Sequence, residues 1–313
     1  MLFYYDQLES ISRVYGIESD AMKATQLVLI ALLALINGRA SAANCDRDCL
    51  RGFISQYLDA LVAHNPSALP LADNARFTED SVEKRLGDGL WPGDGLWKDA
   101  SRIRDYRQDV LDTRQGVAAT QVVVVAAGAP ALLVLRLKVD SNKKISEIET
   151  MVTRTQKEGA LFKPDALQAA DKNMESAPEK SQLSSRDQAI RIAQFYPAGL
   201  KIGSFVTVDA PFAPDAYRIE NGVTTAGAGC SRPGCENIKT QKIMEHPFIT
   251  TRVVAVDEQL GIVLLRMNFG QTNSYGQGNA LIVWEEFKVY AGQIHAVEAF
   301  MKIMSASIGS GWD

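Results

Sequence analysis

Two stretches of this chain are each found twice, in the same order. Arg76-Phe77-Thr78-Glu79-Asp80 has a counterpart in Tyr217-Arg218-Ile219-Glu220-Asn221. Leu137-Lys138-Val139-Asp140 leads to Ile145-Ser146-Glu147-Ile148-Glu149, and Phe287-Lys288-Val289-Tyr290 leads to Ile294-His295-Ala296-Val297-Glu298. The offsets, 220 − 79 = 141 and 298 − 149 = 149, drift by a few residues without disturbing the order. Preserved order at near-constant spacing is the mark of a duplicated unit. The 313 residues suffice for two domains, each with its own core. Duplication fixes an architecture and names no reaction.

Each copy opens with a helical stripe and continues as strands. Leu50, Phe53, Ile54, Tyr57, Leu58 and Leu61 predict one helix, capped by Asn44 or Asp46 and ended by His64-Asn65-Pro66. A loop-rich stretch follows. Strands are then predicted over Tyr106–Asp112, Val117–Ala126, Ala131–Val139 and Ile145–Arg154, with Thr113-Arg114-Gln115-Gly116 as a hairpin turn. In the second copy Ser185 caps a helix carrying Ile190, Ala193, Tyr196 and Leu200, with Pro197 at or near its end. Strands are predicted over Ile249–Val256, Ile262–Phe269, Ala280–Val289 and Ile294–Met304. The boundaries are an extension and signal over 1–43, a first repeat over 44–154, a linker over 155–185 and a second repeat over 186–313. The linker is polar, with a short helix expected near Pro164 to Lys172. The near-repeat Gly87-Asp88-Gly89-Leu90-Trp91-Pro92 and Gly93-Asp94-Gly95-Leu96-Trp97 reads as a slip in a surface loop.

The N-terminal stretch points to export. Met22-Lys23, the apolar run Leu27 to Ile36 and Arg39-Ala40-Ser41-Ala42-Ala43 have the three parts of a secretory signal, with translation starting at Met22 and cleavage at Ala42 or Ala43. An uncleaved anchor is the alternative, although the run is short for a membrane span. A lipoprotein is disfavoured because Asn44 precedes Cys45. The expected location is periplasmic or secreted. Four cysteines, Cys45, Cys49, Cys230 and Cys235, favour disulfides in such a chain. Three connectivities are open. The Pro233-Gly234 turn suits a local Cys230–Cys235 bridge, and Cys45–Cys49 is feasible one helical turn apart. Neither pair has the two-residue spacing of zinc ligands, so no metal is expected. A net charge of −4 with no dense Lys/Arg run argues against a nucleic-acid surface.

The sequence lacks a Gly-x-Gly-x-x-Gly turn, a phosphate loop and a Gly-x-Ser-x-Gly elbow. His64, His246 and His295 are isolated. What remains is acid–base work by carboxylates, His and Tyr without a cofactor. Glu79 with Glu220, and Glu149 with Glu298, recur in both copies and read first as structural. Alternation puts Glu149 on the face of Ile145 and Met151, and Glu298 on that of Ile294 and Phe300. Residues confined to one copy are the better site candidates. Glu285, Glu286, His295 and Glu220 are the candidate catalytic groups; Arg266, Asn268, Trp284 and Tyr217 are the candidate substrate contacts. Trp91, Trp97, Trp284 and Tyr275 could wall a ring-shaped ligand, though aromatics in such a fold are more often core.

A helix followed by a bent antiparallel sheet, with Phe77-Thr78-Glu79-Asp80 and Lys144-Ile145-Ser146-Glu147-Ile148-Glu149 in one copy and Ile219-Glu220-Asn221-Gly222 and Gly292-Gln293-Ile294-His295-Ala296-Val297-Glu298 in the other, resembles the NTF2-like (SnoaL-type) superfamily. The resemblance spans about residues 45 to 154 and 186 to 308. It implies an α+β fold of two NTF2-like cones, each a helix plus a strongly curved antiparallel sheet around a pocket. It also implies cofactor-free isomerase, dehydratase or lyase chemistry on a small apolar or aromatic metabolite. Non-catalytic small-molecule binding, or a structural or partner-binding role, is the alternative. Such domains often pair through their sheets, within one chain or as a homodimer.

Overall fold

Helix α1 (Arg47–Val62) forms where Asp46 caps its first turn, its carboxylate accepting the Cys49 N–H at 2.9 Å. Leu50, Phe53, Ile54, Tyr57, Leu58 and Leu61 are its buried face. His64, in the left-handed region, and Pro66 stop it. The second long helix, α2 (Arg186–Ile202), starts at a Ser185 cap and ends at Gly203, also left-handed. It runs five residues past Pro197, which was expected at or near its end. Proline removes only one intrahelical bond, and here its ring is buried in the core. The computed structural model describes residues 45–84, 95–309 and 311–312, so the signal reading and Trp91 lie outside the described residues.

The chain is α+β, with two six-stranded mixed sheets and few helices. The first sheet contains β1 (Leu71–Glu79), β2 (Val82–Lys84), β3 (Ala100–Asp112), β4 (Val117–Ala126), β5 (Ala129–Val139) and β6 (Ile145–Thr153), in the order β2-β1-β6-β5-β4-β3. The second contains β7 (Phe212–Glu220), β8 (Val223–Ala226), β9 (Thr250–Asp257), β10 (Ile262–Asn268), β11 (Asn279–Tyr290) and β12 (Gln293–Ser305), in the order β8-β7-β12-β11-β10-β9. The two orders are the same. The expectation of wholly antiparallel sheets is corrected, because β1 runs parallel to β6 and β7 parallel to β12. The stretch expected to be irregular supplies β1 and β2, and β3 starts at Ala100, six residues early.

Both hairpins joining the last two strands carry a bulge, between Lys138 and Val139 and between Lys288 and Val289. A one-residue shift flips every later side chain. Ile145 and Ile294 therefore face the helices, whereas Glu149, Met151, Glu298 and Phe300 face the other way. The expected shared faces of Glu149 with Met151 and of Glu298 with Phe300 are present, and those with Ile145 and Ile294 are corrected. Gly116 and Gly261 brace the two bulges: each carbonyl accepts the N–H of Val139 or Val289. A Cβ on either glycine would press within 2.7 or 2.5 Å of that residue's carbonyl oxygen.

Three apolar cores follow. One lies between α1 and the first sheet, one between α2 and the second, and the third joins the two sheets face to face. The layers run helix, sheet, sheet, helix. The contact between the sheets is reciprocal. Asp112 accepts the N–H of Val256 at 2.9 Å and Arg186 Nη2 at 2.6 Å; Asp257 accepts the N–H of Leu111 at 3.2 Å and Arg47 Nη1. Arg47 and Arg186 are the first residues of their helices, so each helix start reaches the aspartate of the opposite sheet. The segment over 155–185 is packed rather than loose: Leu167 and Met174 are buried between the sheets, and Lys288 Nζ donates to the Ser176 carbonyl at 2.6 Å.

Candidate functional site

Odd-numbered residues of β11 point towards α2, which carries Glu285 into the second half's interior with Val283 and Phe287. β7 brings Arg218 and Glu220 to the same side, and α2 supplies Tyr196. Arg218 is the hub. Its Nε donates to Thr225 Oγ1 at 2.8 Å, its Nη1 to the Tyr196 hydroxyl at 3.0 Å and its Nη2 to Gln241 Oε1 at 2.9 Å. Glu220 Oε2 lies 3.4 Å from Arg218 Nε, and its side chain is 20% exposed, so the cluster meets solvent there. Gln241 is fixed in turn, its Nε2 donating to the Thr225 carbonyl at 2.7 Å.

Neither carboxylate oxygen of Glu285 accepts a hydrogen bond. Burial pushes its acid up to about 8, the Glu220 charge adds to the rise, and Arg218 and the Tyr196 hydroxyl pull against it. Tyr196 lies close enough to favour the ionised form without being in hydrogen-bond geometry. Tyr275, half-buried near Glu220, is raised to about 12 by burial and then by that charge.

The first half shows what such an interior looks like without these groups. Asp46 and Ser185 cap the two helices, 185 − 46 = 139 residues apart, and Tyr57 stands 139 residues before Tyr196. Strand register makes Phe77 the equivalent of Arg218, and Leu135 that of Glu285, counting from the paired positions Glu149 and Glu298. Tyr57 there accepts from Trp97 Nε1 at 3.1 Å, and Glu79, the equivalent of Glu220, accepts the Leu96 N–H at 3.3 Å.

The remaining candidates do not join Glu285. Even-numbered β11 residues face the other sheet, so Trp284 and Glu286 lie between the sheets with Arg266, Tyr217 and Glu298. Glu286 is fully buried with both oxygens unpartnered and stands opposite Glu298 in the ladder. Burial holds its acid well above the usual range, and Glu298 adds to this. Glu298 accepts the hydroxyls of Tyr106 at 3.0 Å and Tyr217 at 3.1 Å; burial lifts it to about 7 against those bonds. Arg266 Nη2 donates to Ser81 Oγ, and its Nε is 3.8 Å from Glu149, which Arg252 also holds at 2.7 and 2.8 Å. Asn268 accepts the Gly270 N–H and shapes a turn. His295 stacks on Tyr290 beside the β11–β12 turn.

A single pocket of Glu285, Glu286, His295, Arg266 and Asn268 is thus replaced by two separate polar clusters. The aromatic wall is likewise corrected, because Trp97 and Trp284 belong to different cores. Sequence reasoning missed Tyr196, Thr225 and Gln241, and read Arg218 only as a structural ion-pair partner of Glu220, a pairing that is present at 3.4 Å. A signal was present, since Arg218 stands where the first copy has Phe77.

A cleft of about 1020 Å³ opens between the start of α1, the β3–β4 and β9–β10 turns and the linker, lined by Arg47, Arg114, Pro178 and Glu258 among others. One of about 340 Å³ lies by Arg107, Gln108 and Glu175. Neither is lined by Glu285. Both cysteine pairs are local disulfides, Cys45–Cys49 and Cys230–Cys235, with Cα atoms 5.3 and 6.0 Å apart. Among the described residues, no group of three or more His, Cys, Asp or Glu side chains is placed to hold a metal, and no helix is long and apolar enough to cross a membrane.

Residues 182–301 match the family model described as "Domain of unknown function (DUF8021)". The match runs from just before α2 into β12 and contains Tyr196, Arg218, Glu220, Gln241 and Glu285. No curated protein matches the chain. Among solved structures, a de novo designed protein with a curved β-sheet matches at 19% identity and a TM-score of 0.28, over 34% of this chain and 87% of that one.

Proposed function

We propose that the second half holds a small-molecule site centred on Glu285, and that it performs cofactor-free proton transfer of the isomerase, dehydratase or lyase type on a small apolar or aromatic metabolite. The observation that carries this reading is a buried glutamate with no hydrogen bond, in a position the sister half fills with Leu135. A fold that accepts leucine there has no structural need for a carboxylate, and burying one without a partner costs several kcal/mol, roughly. With its acid near 8, Glu285 is mostly protonated at neutral pH and can give a proton to a substrate atom, taking one back from the adjacent carbon. Arg218 steadies negative charge as it develops on the substrate. Phe205, Phe287 and Met267 belong to the same core as Val283 beside Glu285, apolar surroundings that suit an apolar substrate.

The reading of each half as an NTF2-like cone belongs to this proposal, supported by a helix laid across one face of a bulged sheet in both halves. So does a periplasmic or secreted location, supported by the two disulfides. Non-catalytic binding is the second reading, favoured by Arg218, whose guanidinium is suited to fixing a polar ligand group as well as to steadying developing charge. Native mass spectrometry and thermal shift against an aromatic and terpenoid panel, with Glu285→Gln beside the natural protein, separate them. Binding retained and turnover lost in Glu285→Gln supports catalysis. A ligand bound without turnover by either protein supports binding alone. Ligand binding and turnover both untouched by the substitution would overturn the site.

A further inference from the structure

The outer face of α2 does not resemble that of α1. With the 139-residue offset between the helices, Phe195 and Ala198 stand where α1 has Gln56 and Asp59, and Ile202 where the first half has Ala63, the residue after α1. All three α2 residues are exposed, Phe195 at 39% and Ile202 at 48%. The stripe continues past the helix. Val206 is 56% exposed, and the segment before β9 brings Met244 and Phe248, at 58% and 65%, to the same end of α2. That segment is fixed there, since the His246 N–H bonds the Leu200 carbonyl at 2.8 Å and Glu245 packs against Gly203. Among the described residues, Val82 is the one exposed large apolar residue of the first half. A contiguous apolar stripe confined to one half marks an interface.

We propose that this stripe is the contact between two copies of the chain, α2 packing antiparallel on α2 about a two-fold axis near Phe195 and Ala198. Its charges are self-complementary. Exposed Asp187 and Arg191 stand at the start of the stripe, and exposed Lys201 and Glu245 at its end. Antiparallel pairing about that axis brings Arg191 opposite Ile202 of the copy, one residue from Gly203, against which Glu245 packs; the Arg191–Glu245 contact occurs twice, as an isologous interface requires. The sheet faces are not available for this role. They are already covered, by each other on one side and by the helices on the other. An apolar centre with a charged rim is the usual layout of such a contact.

Sedimentation equilibrium of the purified full chain, from sub-micromolar to near-millimolar concentration, tests this. The expected result is a reversible dimer. Phe195→Asp and Ile202→Asp should each leave only monomer, with unchanged far-UV circular dichroism because both side chains are exposed. Arg191→Glu should weaken association roughly tenfold, and adding Glu245→Arg in the same chain should restore it. A monomer at every concentration would overturn the proposal, as would a dimer indifferent to both aspartates or a charge swap that restores nothing. A monomer that floats with anionic lipid vesicles, and loses this on Phe195→Asp, would give the stripe to a membrane surface instead.

Discussion

The two halves share a helix, a sheet order and a bulge, yet their interiors differ at a pair of facing positions. In the first half Phe77 and Leu135 close the space between α1 and its sheet, with Tyr57 and Trp97 locked edge to face at 5.4 Å. In the second, the same positions hold Arg218 and Glu285, and Tyr196 turns its hydroxyl to the guanidinium. The difference shows which part of the architecture is required for folding. One copy does without an arginine and a second glutamate in its core, keeping Glu79, so the Arg218–Glu285 pair in the other reflects something besides stability.

The sharpest way to break the comparison is to remove one partner. Arg218→Ala should lower stability by about 3–5 kcal/mol in chemical denaturation, because Thr225, Tyr196 and Gln241 lose the donor they share and the Glu220 carboxylate loses its cation. The double change Arg218→Phe with Glu285→Leu transplants the first half's interior. It should be neutral, or stabilising by up to roughly 4 kcal/mol, while abolishing any ligand effect. A double variant as unstable as the single one would mean that the two interiors are not interchangeable.

Next in size is the response to pH. Glu285, at about 8 in the fold against 4.5 as its ordinary value, and Glu298, at about 7, are both raised by burial. Their contribution is fully present below about pH 4.5 and is lost as pH rises through the folded values, so stability should fall between pH 5 and pH 8 by an amount on the order of a few kcal/mol. Glu285→Gln should reduce the slope over the whole range up to about pH 8, and Glu298→Gln only up to about pH 7. Denaturation midpoints across the range would show it, and an unchanged slope in both variants would sink the assignment.

The smallest expected effect concerns the disulfides. Each closes a loop of only four or five residues, so replacing either pair by serine should cost about 2 kcal/mol at most, and comparably in both halves. A much larger loss at Cys230–Cys235 would tie that loop to the interior it borders.

The sequence made the helices and inner strands legible because their signals are local: Leu50 to Leu61 has one periodicity, and the Val117 to Val139 hairpin another. The parallel pairing of β1 with β6 was not legible, because nothing in Leu71–Glu79 records which strand meets it 70 residues later. The bulges hid the faces of Glu149 and Glu298, since one inserted residue inverts an alternation that otherwise reads correctly. Glu285 and Glu220 were visible as candidates. Their union through Arg218 and Tyr196 was not, because those residues come together only when helix and sheet pack. Arg266 and Glu286 looked equally polar on paper and lie between the sheets, whereas Asn268 shapes a turn.

That contact has one more consequence. Since Asp112 meets Arg186 while Asp257 meets Arg47, each half carries both an aspartate and an arginine suited to its own duplicate. A gene encoding a single unit could therefore have made a symmetric pair before any fusion, and tandem fusion required no new surface. Tethering then holds the partners at an effective concentration in the millimolar range, roughly, regardless of expression level. Under that tether one member of the pair is released from any duty beyond holding its sister in place, and its core is free to become plain packing.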